Sequence, residues 1–226
     1  MATVPYLAMT ASEFVGKDVL PEKPGWLLSP AHPVLPPETG NDFLLILTDQ
    51  EPLPEAGAIL PWLIRTVEER KPSALVLDFQ ETSGVSAALA RQLVSSVPCP
   101  VAVSDRHAHS LDCPVFLSPC PHHVPLREHI TPWKNREIWL DLAVDAEVIL
   151  LKKEGREIFP FPLDKIPMGG FVEKALHCHY SVETGVDFAR FTLWRTRDDL
   201  EEMAKEAQQL GIHTLVGLWC EWQDQN

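Results

Sequence analysis

Short apolar runs bounded by proline, glycine and charged residues recur along the whole chain, at 4–9, 43–48, 74–79, 101–104, 115–118, 137–143 and 214–219. Runs of this length are too short for helices. They read as strands buried on both faces, the form strands take in parallel sheets. Helical spacing fills several of the gaps. Between the second and third runs, Ile59, Leu63, Ile64 and Val67 recur three and four apart, and Pro61 suits the first turn of a helix at 59–70. A second helix is predicted at 86–97, with Leu89, Leu93, Val94 and Val97 on one face and Ser86 or Ser83 as its cap. The most complete helix signal spans 197–210. Thr196 caps it, Asp198, Asp199, Glu201 and Glu202 occupy its first turns, Leu200, Met203, Ala204, Ala207 and Leu210 form its stripe, and Gly211 ends it.

Strand, helix and strand in repetition demand right-handed crossovers, which close either a doubly wound sheet or a barrel. Only nine residues, Arg106 to Pro114, join the fourth and fifth runs. A parallel crossover usually takes a dozen or more, so a helix is expected to be missing there. Residues 146–194 change character: 148–153 and 156–161 flank Glu154-Gly155, and 176–182 and 186–193 flank Glu183-Thr184-Gly185. Both read as hairpins of an antiparallel insertion. The expectation is one α/β domain over 1–226, a pruned or incomplete TIM-type (β/α) barrel with a β-rich insertion at about 146–194. A chain of 226 residues, 45% of them hydrophobic, suffices for such a core.

Charge narrows the partners. With 32 acidic against 19 basic residues the net charge is −13, which disfavours phosphate backbones and anionic lipid surfaces. Neither nucleic acid nor membrane is expected as a partner. Residues 1–10 lack a basic segment followed by a long apolar run, and no stretch approaches the ~20 apolar residues of a membrane span. A cytoplasmic location is expected, and oligomeric state stays open. Cys99, Cys113, Cys120, Cys178 and Cys220 form an odd, scattered set without a Cys-x-x-Cys pair, so reduced, mostly buried thiols are expected. The 21 prolines are about twice what average usage of roughly 5% gives. They concentrate in 21–61 and 98–132 and read as rigid, extended connections.

The run 74–80, Ala-Leu-Val-Leu-Asp-Phe-Gln, ends in two polar side chains. In parallel α/β folds the C-terminal strand ends carry the chemistry. Asp78 and Gln80, two apart, point the same way on a strand, so a site here has one carboxylate and one amide. Asp49, Asp105 and Asp141 also fall at or near predicted strand ends. Two carboxylates within about 5–10 Å would form a glycosidase-type pair. Histidines supply a competing site: His107 and His109, Cys120 with His122 and His123, and His177, Cys178 and His179. On a strand at 176–182, His177 and His179 would share one face as a two-ligand metal clip, although no spacing matches a zinc pattern.

Placed in order, these pieces resemble the chitinase-like fold of glycoside hydrolase family 18, an eight-stranded β/α barrel with an antiparallel insertion before its last helix and strand. The run from Asp198 to Trp219 is similar to that family's final helix, glycine turn and strand ending in tryptophan. The resemblance implies that Trp219 floors a sugar pocket, where an apolar ring stacks on the C–H face of a pyranose. Residues 74–80 fall where the family carries Asp-x-Asp-x-Glu. Asp78 matches the aspartate that orients the N-acetyl group, and Gln80 replaces the glutamate that protonates the glycosidic oxygen. Tyr6 on the first strand and 137–143 as the seventh are weaker echoes. The implied function is a catalytically degenerate glycoside-hydrolase-like protein that binds an N-acetylhexosamine-type carbohydrate without a cofactor. Three alternatives stand beside it: an interaction module without a ligand site, an active glycosidase using other carboxylates, and a metal-dependent hydrolase using the histidines.

Overall fold

The computed structural model describes residues 4–14, 20–29, 42–81 and 84–223. In chain order the strands are β1 (Tyr6–Met9), β2 (Pro24–Leu28), β3 (Leu44–Thr48), β4 (Ala74–Asp78), β5 (Val101–Ser104), β6 (Val115–Leu117), β7 (Ile138–Leu142), β8 (Ala146–Lys152), β9 (Gly155–Pro160), β10 (Phe171–Glu173), β11 (Cys178–Thr184), β12 (Phe188–Trp194) and β13 (Thr214–Leu218). The helices are α1 (Ala11–Phe14), α2 (Ala56–Arg70), α3 (Gly84–Ser96), α4 (Asp105–Ala108), α5 (Leu126–Ile130), α6 (Arg197–Gln209) and α7 (Trp219–Trp222). The chain packs as two compact units, one of Met1–Ser118, Trp133–Asp141 and Ile212–Asn226, the other of Pro119–Pro132 and Leu142–Gly211.

The first unit holds a closed barrel of eight parallel strands in the order β1-β13-β7-β6-β5-β4-β3-β2. Closure is made by β1 on β13, with Tyr6 opposite Val216 and Ala8 opposite Leu218. The ring of strands is therefore complete, so the barrel is pruned in its helices and not in its strands. Inward-facing residues alternate with outward ones. Ala8, Leu44, Ile46, Ala74, Val76, Ala102, Phe116, Trp139 and Val216 fill the interior. Three alanines make room for Phe116 and Trp139, the small-against-large packing that fills a barrel of this size. Leu45, Leu47, Leu75, Leu77 and Val103, on the opposite face of the same strands, are also fully buried. Burial on both faces explains why these strands read as continuous apolar runs.

One barrel strand escaped the sequence reading. β2, Pro24-Gly25-Trp26-Leu27-Leu28, lies in the proline-rich stretch expected to be extended connection. Trp26 and Leu28 are nevertheless buried. Gly25 is needed by close approach: a Cβ there would lie 3.1 Å from Ile46 Cδ1 and 3.2 Å from Ala8 Cα. The short link between β5 and β6 contains a single helical turn, α4, yet the strands pair in parallel with Val103 opposite Val115. The crossover helix is reduced to one turn there.

α2 starts at Ala56, three residues before the predicted start, so Pro61 is its sixth residue and lies inside the helix. The missing Pro61 N–H falls in the second turn, on an exposed position, where the lost bond costs less than it would in a buried interior. The helix ends on Lys71 in the left-handed region, whose N–H bonds Val67 O. α3 starts at Gly84 and encloses Ser86. Ser86 is not its cap: the buried hydroxyl donates instead to Asp49. Ser83, the other candidate cap, lies outside the described residues.

The second unit is built on a five-stranded antiparallel sheet in the order β10-β11-β12-β8-β9. Both predicted hairpins are present, β8–β9 around Glu154 and β11–β12 around Gly185, while β10 was not predicted. α6 belongs to this unit. Its start is fixed by a capping box in which Asp199 Oδ2 accepts from Thr196 N at 2.8 Å and Thr196 Oγ1 accepts from Asp199 N at 3.4 Å, an arrangement worth about 1 kcal/mol. Arg195, 2% exposed, donates Nε to His177 O, one terminal nitrogen to Cys120 O, and the other to Pro121 O and Leu176 O. One buried cation thereby satisfies four carbonyls from separate segments.

Candidate site at the barrel mouth

Alternation along the barrel strands decides what reaches the mouth. Ala74 and Val76 face inward, so Asp78 follows on the same side at the C-terminal end of β4. Gln80, two residues on, lies beside it. Its Nε2 donates to Asp78 Oδ1 at 2.5 Å and, more weakly, to Ser118 Oγ at 3.3 Å. Its Oε1 accepts from Arg106 Nε at 3.2 Å. Ser118 in turn lies 3.4 Å from Asp105 Oδ1, so a relay of polar contacts runs Asp78, Gln80, Ser118, Asp105. Burial pushes the Asp78 carboxyl above its ordinary range; the bond from Gln80 opposes that, and the charges of Asp49 and Asp105 reinforce it. The carboxyl sits in a field set by burial and by two more carboxylates, which is how a fold prepares an acid group for proton chemistry.

The other expected site residues divide. Asp105, the first residue of α4, joins the cluster through Ser118. Asp141, the penultimate residue of β7, lies two residues after inward-facing Trp139, which places it towards the mouth by register. Trp219 opens α7 directly after β13. In the strand order β13 and β4 are four positions apart in a ring of eight, so Trp219 and Asp78 stand on opposite sides of the mouth. The buried indole nitrogen of Trp219 has no hydrogen-bond partner among the described residues, and the same holds for Trp222. A buried donor without a partner calls for a structural reason.

Asp49 is engaged by the protein itself. It is 5% exposed, and its carboxylate accepts from Gln80 N at 2.7 Å, Glu81 N at 2.9 Å and Ser86 Oγ at 3.1 Å. Its acceptor sites are used to pin the turn after β4 and the start of α3, so it positions Gln80. Tyr6 is also displaced from the expected site. It opens β1, at the end of the barrel opposite the strand C-termini. There its hydroxyl donates to Asp42 Oδ1 at 2.5 Å, with the Lys23 ammonium 4.9 Å from the ring centroid. Burial first, then the bond to Asp42 and its charge, raises the Tyr6 hydroxyl far above its usual range.

The mouth also contains residues the sequence reading missed. Ser104 and Ser118 end the runs Val-Ala-Val-Ser and Val-Phe-Leu-Ser, at the position where Asp78 ends its own. Ser104 Oγ donates to Phe79 O at 2.7 Å and ties β5 to the turn after β4. A polar residue closing an apolar run was the available signal. Arg106 gave none, because only the fold brings it to Gln80.

The histidine alternative fails on geometry. His177 precedes β11 in a left-handed turn, φ 47°, so it does not share a strand face with His179. His177 Nε2 lies 2.5 Å from Glu206 Oε2, and His179 Nδ1 lies 2.9 Å from Asp199 Oδ2. His122 meets Asp145, and His123 meets Glu147 at 2.8 Å. These four histidines each meet a carboxylate, and among the described residues no three His, Cys, Asp or Glu side chains gather as a metal-ligating group. The five cysteines are free, with Cys120 and Cys178 buried, Cys99 and Cys113 half-buried, and Cys220 exposed. Burial raises the Cys120 and Cys178 thiols to about 11. Among the described residues no helix is long and apolar enough to cross a membrane.

No protein-family model matches the sequence, and no curated protein matches it. Solved structures do share its barrel fold. Over 95% of this chain and 70% of the other, it superposes on the spore cortex-lytic enzyme SleL of Bacillus cereus with a TM-score of 0.54 and 10% identity. Over 99% of this chain and 95% of the other, it superposes on the C-terminal domain of a chitinase-designated protein from Desulfitobacterium hafniense DCB-2, with a TM-score of 0.53 and 10% identity.

Proposed function

We propose that this chain is a TIM-type barrel of the family 18 kind that binds an N-acetylhexosamine-type carbohydrate at its mouth and has lost most or all hydrolytic power. One observation carries the reading. The residue where such a barrel needs its general acid is Gln80, whose amide donates to Asp78 instead of offering a proton to a leaving group. An amide has no proton to transfer, and removing a general acid costs on the order of 10²- to 10⁴-fold in rate. What remains is suited to binding. Asp78 and Asp105 accept hydroxyls on one side of the mouth. On the other side, Trp219 supplies an apolar ring.

The test is a thermal-shift screen against chitin and peptidoglycan oligosaccharides. A ligand at ~100 times its dissociation constant stabilises by ~2.7 kcal/mol. The expected result is a shift with an N-acetylhexosamine oligomer that Trp219→Ala abolishes, with no turnover until Gln80→Glu is introduced. No shift with any glycan would favour a purely scaffolding role. Turnover by the unaltered protein would refute the loss of catalysis.

A further inference from the structure

Beside the mouth, and sharing Arg106 with it, lies a cavity of about 200 Å³ lined by Ala87 and Arg91 of α3, Arg106 and His107 of α4, and His109, Ser110 and Leu111 in the turn that follows. We propose that this cavity is an anion site for a phosphate or phosphate monoester. Four of its seven lining residues carry basic side chains, and no carboxylate lines it. That local sign is opposite to the net charge of −13 of the chain. The two guanidiniums supply the planar forks that match phosphate oxygens, and Ser110 adds a hydroxyl.

The walls are organised in advance. Arg106 is held by its Nε bond to Gln80 Oε1 at 3.2 Å. His107 Nε2 lies 2.7 Å from Glu81 O; a carbonyl can only accept, so that nitrogen carries hydrogen and the ring is fixed. Arg136 donates to the carbonyls of Ala108, Leu111 and Cys113, which fixes the turn 108–113 from the other side. Its guanidinium also lies over Trp133, against which His109 packs with ring centroids 4.6 Å apart. Of the neighbouring carboxylates, Asp105 is turned to Ser118 and Asp112 acts on the Cys113 thiol. The cavity lies below the ~300 Å³ at which drug-sized pockets begin, which suits an inorganic phosphate or one phosphorylated monosaccharide.

Calorimetric titration of the full chain with inorganic phosphate, at constant ionic strength with chloride as the balancing anion, tests this. The expected result is saturable binding, weakened at least about tenfold in Arg91→Gln/His109→Gln and unchanged in Trp219→Ala. Arg91 and His109 are exposed, so their replacement leaves the fold intact, which circular dichroism verifies. A parallel titration with glucose 6-phosphate separates the two sources: tighter binding than phosphate identifies a phosphorylated sugar, and equal or weaker binding identifies free phosphate. Absence of saturation below about 10 mM phosphate, or equal affinity in the double variant, would overturn the site. Because the probe is not a glycan, failure here leaves the carbohydrate reading of the mouth untouched.

Discussion

Replacing Gln80 by glutamate tests the chemistry of the mouth through stability as well as activity. In the native chain Gln80 Nε2 donates to Asp78 Oδ1 at 2.5 Å, and Asp78 is already held above the ordinary carboxylate range, by burial first and then by its neighbours' charges. Gln80→Glu exchanges that donor for a carboxylate oxygen. Two unit charges 4 Å apart repel by about 4 kcal/mol at an effective dielectric of about 20, equivalent to about three pKa units. The pair therefore keeps one proton between them near neutrality, as paired catalytic carboxylates do. Arg106, 3.2 Å from Oε1 of the native side chain, offsets part of the repulsion. The net expected loss is about 2–3 kcal/mol near pH 7.5.

The sign follows from linkage. The folded pair has a raised pKa, so the unfolded chain releases its proton first, and stability falls as pH rises through the ordinary carboxylate range towards the folded value. At about pH 3, below the ordinary carboxylate range, both states hold the proton, the neutral carboxyl donates as the amide did, and the penalty shrinks below about 0.5 kcal/mol. Urea denaturation at three pH values measures the difference. Gln80→Glu/Asp78→Asn, with a single carboxyl at the pair, should lose most of the pH dependence. A difference between Gln80→Glu and the parent that does not change with pH would refute the proposed coupling.

Asp49→Ala removes three hydrogen bonds to a buried carboxylate and is expected to cost about 3–4 kcal/mol, with Asp49→Asn costing about half because one acceptor oxygen remains. A urea midpoint equivalent to a change under about 1 kcal/mol in Asp49→Ala would contradict its anchoring role. Arg195→Met strands four carbonyls around Cys120, Pro121, Leu176 and His177. About 3–5 kcal/mol of destabilisation is expected, seen as faster hydrogen exchange at β11 and β12; native protection there would show that the carbonyls are satisfied without it.

Much of the barrel was legible because its strands are buried on both faces and bounded by turn residues, so burial left its mark directly in the order of residues. β2 was the exception. Proline and glycine mask its run of three apolar residues, and Gly25 reads as a breaker when it is there to let β2 approach Ala8 and Ile46. The meeting of Asp78 and Gln80 was legible because both their types and their spacing are local. Asp49 and Tyr6 were misplaced for a common reason: a strand-end aspartate and a strand-start tyrosine look available in sequence, and only the partners brought by other segments show that Asp49 is occupied by the turn after β4 and that Tyr6 belongs to the other end of the barrel. The pairing of His177 and His179 failed on a single left-handed residue, which inverts the alternation on which the face assignment rested.

By itself the sequence determined the alternation of buried strands with crossovers, the capped helix α6, the two hairpins, and the pairing of a carboxylate with an amide at the end of β4. These are properties of neighbouring residues, and local propensity with hydrophobic period is enough to write them. Tertiary structure alone decided that the ring closes, that Asp49 steadies Gln80, that His122, His123, His177 and His179 each meet a carboxylate, and that Arg91, Arg106, His107 and His109 share one cavity. Those facts depend on which distant segments share a hydrogen bond or a charge. Side-chain chemistry fixes what a residue can offer, while the closed packing of the strands fixes what it meets.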